Sequence, residues 1–265
     1  MSTDGIFQLF TAPMWVFLCV LARIGPLLIL LPPIRGNSVP IQVRVLLTVA
    51  LAVCVSPMAI AQAPRMPSEF PIVMVKLLLE IMMGLLFGTA SAVMVTSLQS
   101  GAAIVSQLAG LDNMTTVDAN SQEETPVLGQ LLSWLSIALF LGLGGHRQLL
   151  SLCLGSFQQY PAGAILAQEA WLMQLVALVQ HGLELGLRAS APLAISLLLA
   201  NVLTSLVGRA MPQLNMMAIG YNVNALVLLS ALAISIGSIG WVFQEELVLW
   251  VEFTSEMIPK TGNHG

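Results

Sequence analysis

Charge is what this 265-residue chain lacks: Asp, Glu, Lys and Arg together make up 8% of it, against about 25% in a soluble domain. So little charge cannot solvate a globular surface, which excludes an ordinary soluble fold. The charges present do not gather. Nine Lys and Arg against thirteen Asp and Glu leave a net charge of −4, with no basic patch for nucleic acid and no polybasic tail for an anionic lipid surface. Nucleic acid is not an expected partner. The three cysteines, Cys19, Cys54 and Cys153, lie far apart inside apolar runs; that suits neither a disulfide framework nor a metal site, and they read as small buried hydrophobes. There is no HExxH, no glycine loop ahead of a lysine, and no grouped Ser, His and Asp. Neither enzymatic chemistry nor a cofactor is expected. A fixed-period repeat is also missing, which weakens solenoid and inverted-repeat transporter readings.

What is present is apolar length. The chain carries no charge from Ile81 to Leu111 or from Ala210 to Gln244, and each run exceeds the roughly 20 residues that cross the hydrocarbon core of a bilayer. The fold class is therefore an all-α polytopic membrane protein with about six long helices, because unpaired backbone groups are too costly in lipid for any other open arrangement. The apolar pattern predicts helices over about 13–33, 43–62, 72–110, 127–158, 171–207 and 213–240. Punctuation supports these breaks: Pro32-Pro33, Gly36 and Pro40, then Pro57, Pro64, Pro67 and Pro71, then Tyr160-Pro161-Ala162-Gly163, then Met211-Pro212. A last segment, Trp241 to Ile258, mixes aromatic residues with Glu245, Glu246, Glu252 and Glu256 and reads as an interfacial amphipathic helix. Met1 to Ala12 holds Asp4 and no Lys or Arg, so the first apolar run is expected to be retained rather than cleaved as a signal peptide. Arg35, Arg44 and Arg209 place the first and fifth connections in the cytoplasm and both termini outside it.

Few residues in the spans can carry chemistry. Arg23 lies mid-span, where a charge costs about 2.5–3.5 kcal/mol on the insertion scale. It reads as a structural anchor to carbonyls or carboxylates near Gly25-Pro26 in preference to a pore contact. Glu80 and Glu184 are the two deep carboxylates; each has a basic residue four positions away, Lys76 before Glu80 and Arg188 after Glu184, which predicts two i,i+4 charge pairs. His181, three residues before Glu184, keeps open the rival reading of a proton relay in a coupled small-molecule transporter.

Gly84, Gly88, Ala92, Thr96 and Ser100 recur every four residues, and Gly182 and Gly186 repeat the pattern. Such stripes let helix backbones approach closely; packing inside the chain and docking to another subunit both fit. Of the 14 methionines, which read by default as apolar packing, only Met114 is moved towards function by its surroundings. Those surroundings are an acidic insert from Asp112 to Glu124, rich in Asn, Thr, Ser and Gln. It must sit in water or a water-filled cavity, as a connection or as a plug.

Several of these residues carry a resemblance. Arg23, then Arg35-Gly36-Asn37-Ser38-Val39-Pro40, Arg44 and Ser56-Pro57, are similar to the first hairpin of the FliR/SctT type III export-gate family. The insert from Val117-Asp118-Ala119 through Thr125-Pro126-Val127-Leu128, then Gly145-His146 with Leu149-Leu150, continues the likeness. Gly208-Arg209-Ala210-Met211-Pro212-Gln213-Leu214-Asn215, with Gly220, is its most specific stretch. The likeness spans nearly the whole chain.

The resemblance implies a structural, pore-forming subunit of a flagellar export gate in the bacterial inner membrane, within the flagellar basal body; an injectisome subunit is the alternative. It implies one integral membrane domain over 1–265, with a FliP-like part at 1–170 that contains the insert 111–126. The FliQ-like part, 171–265, would be a helical hairpin and a C-terminal amphipathic helix. Its partners would be FliP-like and FliQ-like membrane subunits, a FlhB-like subunit, exported unfolded proteins and membrane lipid. In the family, the segment matching Gly110 to Val127 plugs the closed pore beneath a methionine gasket, which makes Asn113, Met114, Thr115, Thr116, Val117 and Asp118 the plug candidates here. Family members often place phenylalanines in that segment, where this chain has Asn113 and Thr116. Gly84, Gly88, Ala92, Gly182, Gly186, Arg209, Pro212 and Gln213 are the candidates for subunit packing.

Overall fold

Inside a bilayer each backbone N–H and C=O needs a partner in the protein, and a helix supplies those partners from its own chain. The apolar runs accordingly form helices: α1 (Thr3–Leu30), α2 (Ile41–Ile60), α3 (Phe70–Ala109), α4 (Val127–Gly142), α5 (Gly145–Gln159), α6 (Ala170–Ala210) and α7 (Met216–Glu256). Two three-residue strands lie between α3 and α4. β1 (Thr115–Val117) and β2 (Glu124–Pro126) pair antiparallel, with Thr116 opposite Thr125. The structure is a computed structural model that describes residues 3–32, 34, 39–110, 115–117, 124–165, 170–211 and 216–256.

Among the described residues, five helices are long and apolar enough to cross a membrane, and a sixth span arises if α4 and α5, bent by 58°, count as one. The bend has a local cause. Gly144 sits at φ +77°, a left-handed conformation that glycine adopts without steric cost, and its carbonyl accepts the N–H groups of Arg147 and Gln148 to start α5. His146-Arg147 is thus the opening of a helix. Helices α3, α6 and α7, of 40 or 41 residues, each reach about 60 Å at 1.5 Å per residue. That is about twice the hydrocarbon thickness, and the usual tilts of up to about 40° do not absorb a twofold excess.

The expected helix at 241–258 does not exist as a separate element. Helix α7 runs without a break from Met216 to Glu256, since Gly237 and Gly240 weaken a helix without ending it and no proline lies between them and Glu256. Residues 257 and 258 fall outside the described residues. Several buried hydroxyls are satisfied inside their own helices, as when Ser56 donates to Ala52 O and Ser97 to Met94 O, both at 2.6 Å.

The chain divides into two compact units, and α3, α6 and α7 each contribute to both. The first unit comprises Met1–Ala92, Gly144–Leu178 and Leu249–Gly265; Trp15, Leu27, Phe87, Leu149 and Ile165 are buried in it. The second comprises Val93–Leu143 and Val179–Val248. Its core joins Ala102, Val105 and Ala109 of α3 to Leu132 of α4, Leu193 and Leu197 of α6, and Leu228 and Ala231 of α7. Large apolar side chains such as Leu46, Phe70, Met173, Leu226 and Ile234 are exposed along the helices. Lipid or partner protein must cover faces of this kind.

Candidate functional site

In the first unit, Gly84 brings two charges together. A Cβ at Gly84 would collide with the backbone carbonyl of Arg23, and one at Gly88 would press on Leu30 and on the carbonyl of Pro26. Without those side chains α3 lies backbone to backbone against α1. Glu80, one turn before Gly84, then meets Arg23.

Arg23 and Glu80 are both fully buried, with Nε 2.6 Å from Oε2. Arg23 Nη1 donates to Ser156 Oγ at 2.9 Å, Nη2 donates to Tyr160 O at 3.1 Å, and the guanidinium carbon stands 4.0 Å from the centroid of the Phe157 ring. The other carboxylate oxygen, Glu80 Oε1, accepts the Gly163 N–H at 2.7 Å. Gly163 has φ +81°, and its missing side chain leaves room for the Trp15 ring. A buried ion pair offsets its desolvation only when further hydrogen bonds support both partners, and here each guanidinium nitrogen and both carboxylate oxygens have one. The cluster fixes α1, α3, α5 and the 160–163 turn to one another.

Lys76 is not the partner of Glu80. Its Nζ donates to Ile165 O at 3.2 Å instead. The physical reason is magnitude: an i,i+4 pair on a helix surface contributes about 0.2–0.5 kcal/mol, whereas leaving a buried arginine without a counter-charge costs about 3–5 kcal/mol. Arg23 therefore takes the carboxylate. The carbonyls near Gly25-Pro26 are not among its hydrogen-bond partners.

In the second unit the small residues bring α3 and α6 together. Gly182 faces Val93, Gly186 faces Ser97 O, and Gly101 faces Gly186 O and Ser190. Ala92 is buried, but Thr96 and Ser100 are exposed. A four-residue repeat advances about 400° for each step of an α-helix and so drifts about 40° around it. By Thr96 the contact line has moved to Ser97 and Gly101. Arg188 Nη2 lies 2.6 Å from Glu184 Oε1 and Nη1 lies 3.5 Å from Glu246 Oε1 on α7; the Arg188 and Glu184 side chains are 56% and 46% exposed. Arg209 is exposed beside a shallow groove lined by Asn201, Ser205 and Leu206. Pro212 and Gln213 lie outside the described residues.

Of the insert candidates, Thr115, Thr116 and Val117 form β1, while Asn113, Met114 and Asp118 lie outside the described residues. The ladder leads straight into α4 at Val127. Residues that the sequence did not single out are Ser156, Gly101, and the pair Asn201 and Asn224, whose amides meet at 2.8 Å. The last could have been found as polar residues within otherwise apolar spans.

A family model for bacterial export proteins, family 1, matches residues 14–249. The chain belongs to that family. Its match begins before Arg23 and runs past Glu246, so both charge clusters fall inside it. Among family relatives, the flagellar biosynthetic protein FliR of Caulobacter vibrioides is 23% identical over 90% of this chain and 93% of its own length. The FliR of Escherichia coli K12 is 29% identical over 83% of this chain and 82% of its own. The Yop proteins translocation protein T of Yersinia pestis is 24% identical over 84% and 86%.

Proposed function

We propose that the chain is a structural, pore-forming subunit of the flagellar type III protein export gate, needed for flagellum assembly and for export of flagellar proteins. The observation that carries this reading is the family match over residues 14–249, together with FliR relatives aligned along most of their own length. Relatives named for flagellar biosynthesis match this chain along most of their length at 23% and 29% identity and the Yersinia translocation protein does so at 24%, so the flagellar reading fits and the injectisome alternative is not better supported. The long apolar helices and their exposed faces support a membrane-embedded protein that other export components cover.

In finer terms, the chain resides in the bacterial inner membrane at the flagellar basal body. It assembles with FliP-like and FliQ-like subunits and a FlhB-like subunit, its residues 1–170 acting as a FliP-like part and 171–265 as a FliQ-like part. Unfolded export substrates pass through the complex with energy supplied by other components. The insert 111–126 closes the resting pore, with Asn113, Met114, Thr115, Thr116, Val117 and Asp118 nearest the constriction. Arg209, Pro212 and Gln213 contact neighbouring subunits. The length excess of α3, α6 and α7 supports a complex that projects beyond the hydrocarbon layer.

The test is purification in mild detergent after co-expression with the neighbouring genes, followed by native mass spectrometry. One copy of this chain with several copies each of two small helical membrane proteins is the expected composition. A lone monomer or homodimer would refute the export-gate assignment and return attention to a transporter.

A further inference from the structure

Helix α3 ends at Ala109, and the last carbonyls of a helix have no partner within it. Gly110 turns the chain with φ +72°, and its N–H donates to Gln107 O at 3.1 Å, as in a left-handed helix ending. The next two carbonyls are taken by side chains from two other helices of the same unit. Asn201 Nδ2 of α6 donates to Leu108 O at 2.8 Å. Asn224 Nδ2 of α7 donates to Ala109 O at 3.4 Å and to Asn201 Oδ1 at 2.8 Å.

Asn224 is buried, and Ala109 belongs to the apolar core that contains Leu197 and Leu228. Asparagine is a poor helix former, and burying an amide is unfavourable unless it is hydrogen-bonded; the Asn224 nitrogen is so bonded, while its Oδ1 has no partner among the described residues. Two asparagines, on two helices, bonded to consecutive carbonyls and to each other, define the point at which α3 stops. From that point the chain continues into the insert that carries β1 and β2.

We infer that Asn201 and Asn224 are positioning residues for the insert: they hold its α3 root in place, and the closed state depends on them. This rests on the proposed role of the insert in closing the pore. The other root has a different attachment, since β2 runs directly into α4.

The experiment measures small-ion leak in cells that carry the full-length chain within its export apparatus. It compares Asn201→Ala, Asn201→Gln and the double variant Asn201→Ala/Asn224→Leu with a deletion of residues 113–121, and quantifies the assembled chain in each. Asn201 is only half-buried, so Asn201→Ala preserves the packing if the double variant fails to assemble. The expected result is a several-fold rise in leak for Asn201→Ala at unchanged assembly, approaching the deletion in the double variant, with Asn201→Gln, which keeps a donor, close to wild type. Leak from the deletion but not from the assembled asparagine variants would overturn the positioning role and leave the insert as the barrier. Leak from neither would overturn both. Equal leak from Asn201→Ala and Asn201→Gln would also count against the hydrogen bond as the cause.

Discussion

Arg23 and Glu80, 57 residues apart in sequence, form a 2.6 Å ion pair from which solvent is fully excluded. Neither residue reaches the other alone. Gly84 lets α3 approach α1, Ser156 and Tyr160 O take two further guanidinium donors, and the Gly163 N–H completes the carboxylate. The pair therefore depends on the surrounding turn and helices, and they depend on it.

Removing one charge should harm the protein more than removing both. Arg23→Met strands a buried carboxylate and Glu80→Leu strands a buried guanidinium, each at a cost of about 3–5 kcal/mol; apolar replacement of a whole buried pair is often near neutral. In a double-mutant cycle on the chain in detergent, each single variant is expected to lower the thermal midpoint sharply and Arg23→Met/Glu80→Leu to recover much of the loss. Additive losses would show that the two charges act independently.

Glycine substitutions should separate close approach from open space. Gly84→Ala drives a methyl into the Arg23 carbonyl, a backbone atom that cannot move aside cheaply; overpacking costs about 1–3 kcal/mol, and the approach that sustains the ion pair is lost with it. Gly142→Ala meets nothing within 4 Å and should leave the melting midpoint near wild type. Equal midpoints for the two variants would contradict the packing of α1 on α3.

The connections after α1, α2, α5 and α6 were legible because Pro and Gly mark them, but α1 begins at Thr3 and passes through Pro13, the expected 127–158 helix breaks at Gly144, and α7 runs on to Glu256. The ladder of β1 and β2 was not, since three-residue strands are too short to impose a period on Thr-Thr-Val or Glu-Thr-Pro. The unfavourable burial of Arg23 could be read from its position, but its partner could not. A local i,i+4 rule pointed Glu80 at Lys76, and only the tertiary approach at Gly84 decided otherwise. The small-residue stripe was read at a spacing of four, which leaves the contact line after about three steps because the helix turns every 3.6 residues.

Two left-handed glycines should respond unequally to alanine. Gly144 and Gly163 have φ +77° and +81°, so either substitution strains the backbone by about 1–3 kcal/mol. At Gly144 a methyl group meets open space, whereas at Gly163 it meets the Trp15 ring at 3.0 Å, beside the N–H that serves Glu80. Gly163→Ala is expected to lower stability more than Gly144→Ala in parallel thermal unfolding. The reverse order would mean that the bend between α4 and α5, rather than the 160–163 turn, is the more constrained of the two.

The Glu184 and Arg188 pair invites the opposite expectation from the Arg23 pair. Both side chains are about half exposed, so screening limits the contact to about 0–1 kcal/mol. Glu184→Gln alone, which leaves Arg188 beside Glu246, should thus leave the amount of assembled chain nearly unchanged. If these charges only pack helices or face neighbouring subunits, motility and export persist as well. If instead they conduct protons in a coupled transport cycle, export or motility collapses while assembly stays normal, because Gln cannot exchange a proton in place of Glu184. Swimming assays on soft agar, paired with quantification of the chain in purified basal bodies, separate the two outcomes; loss of swimming at full assembly would revive the relay and make His181 the next residue to replace.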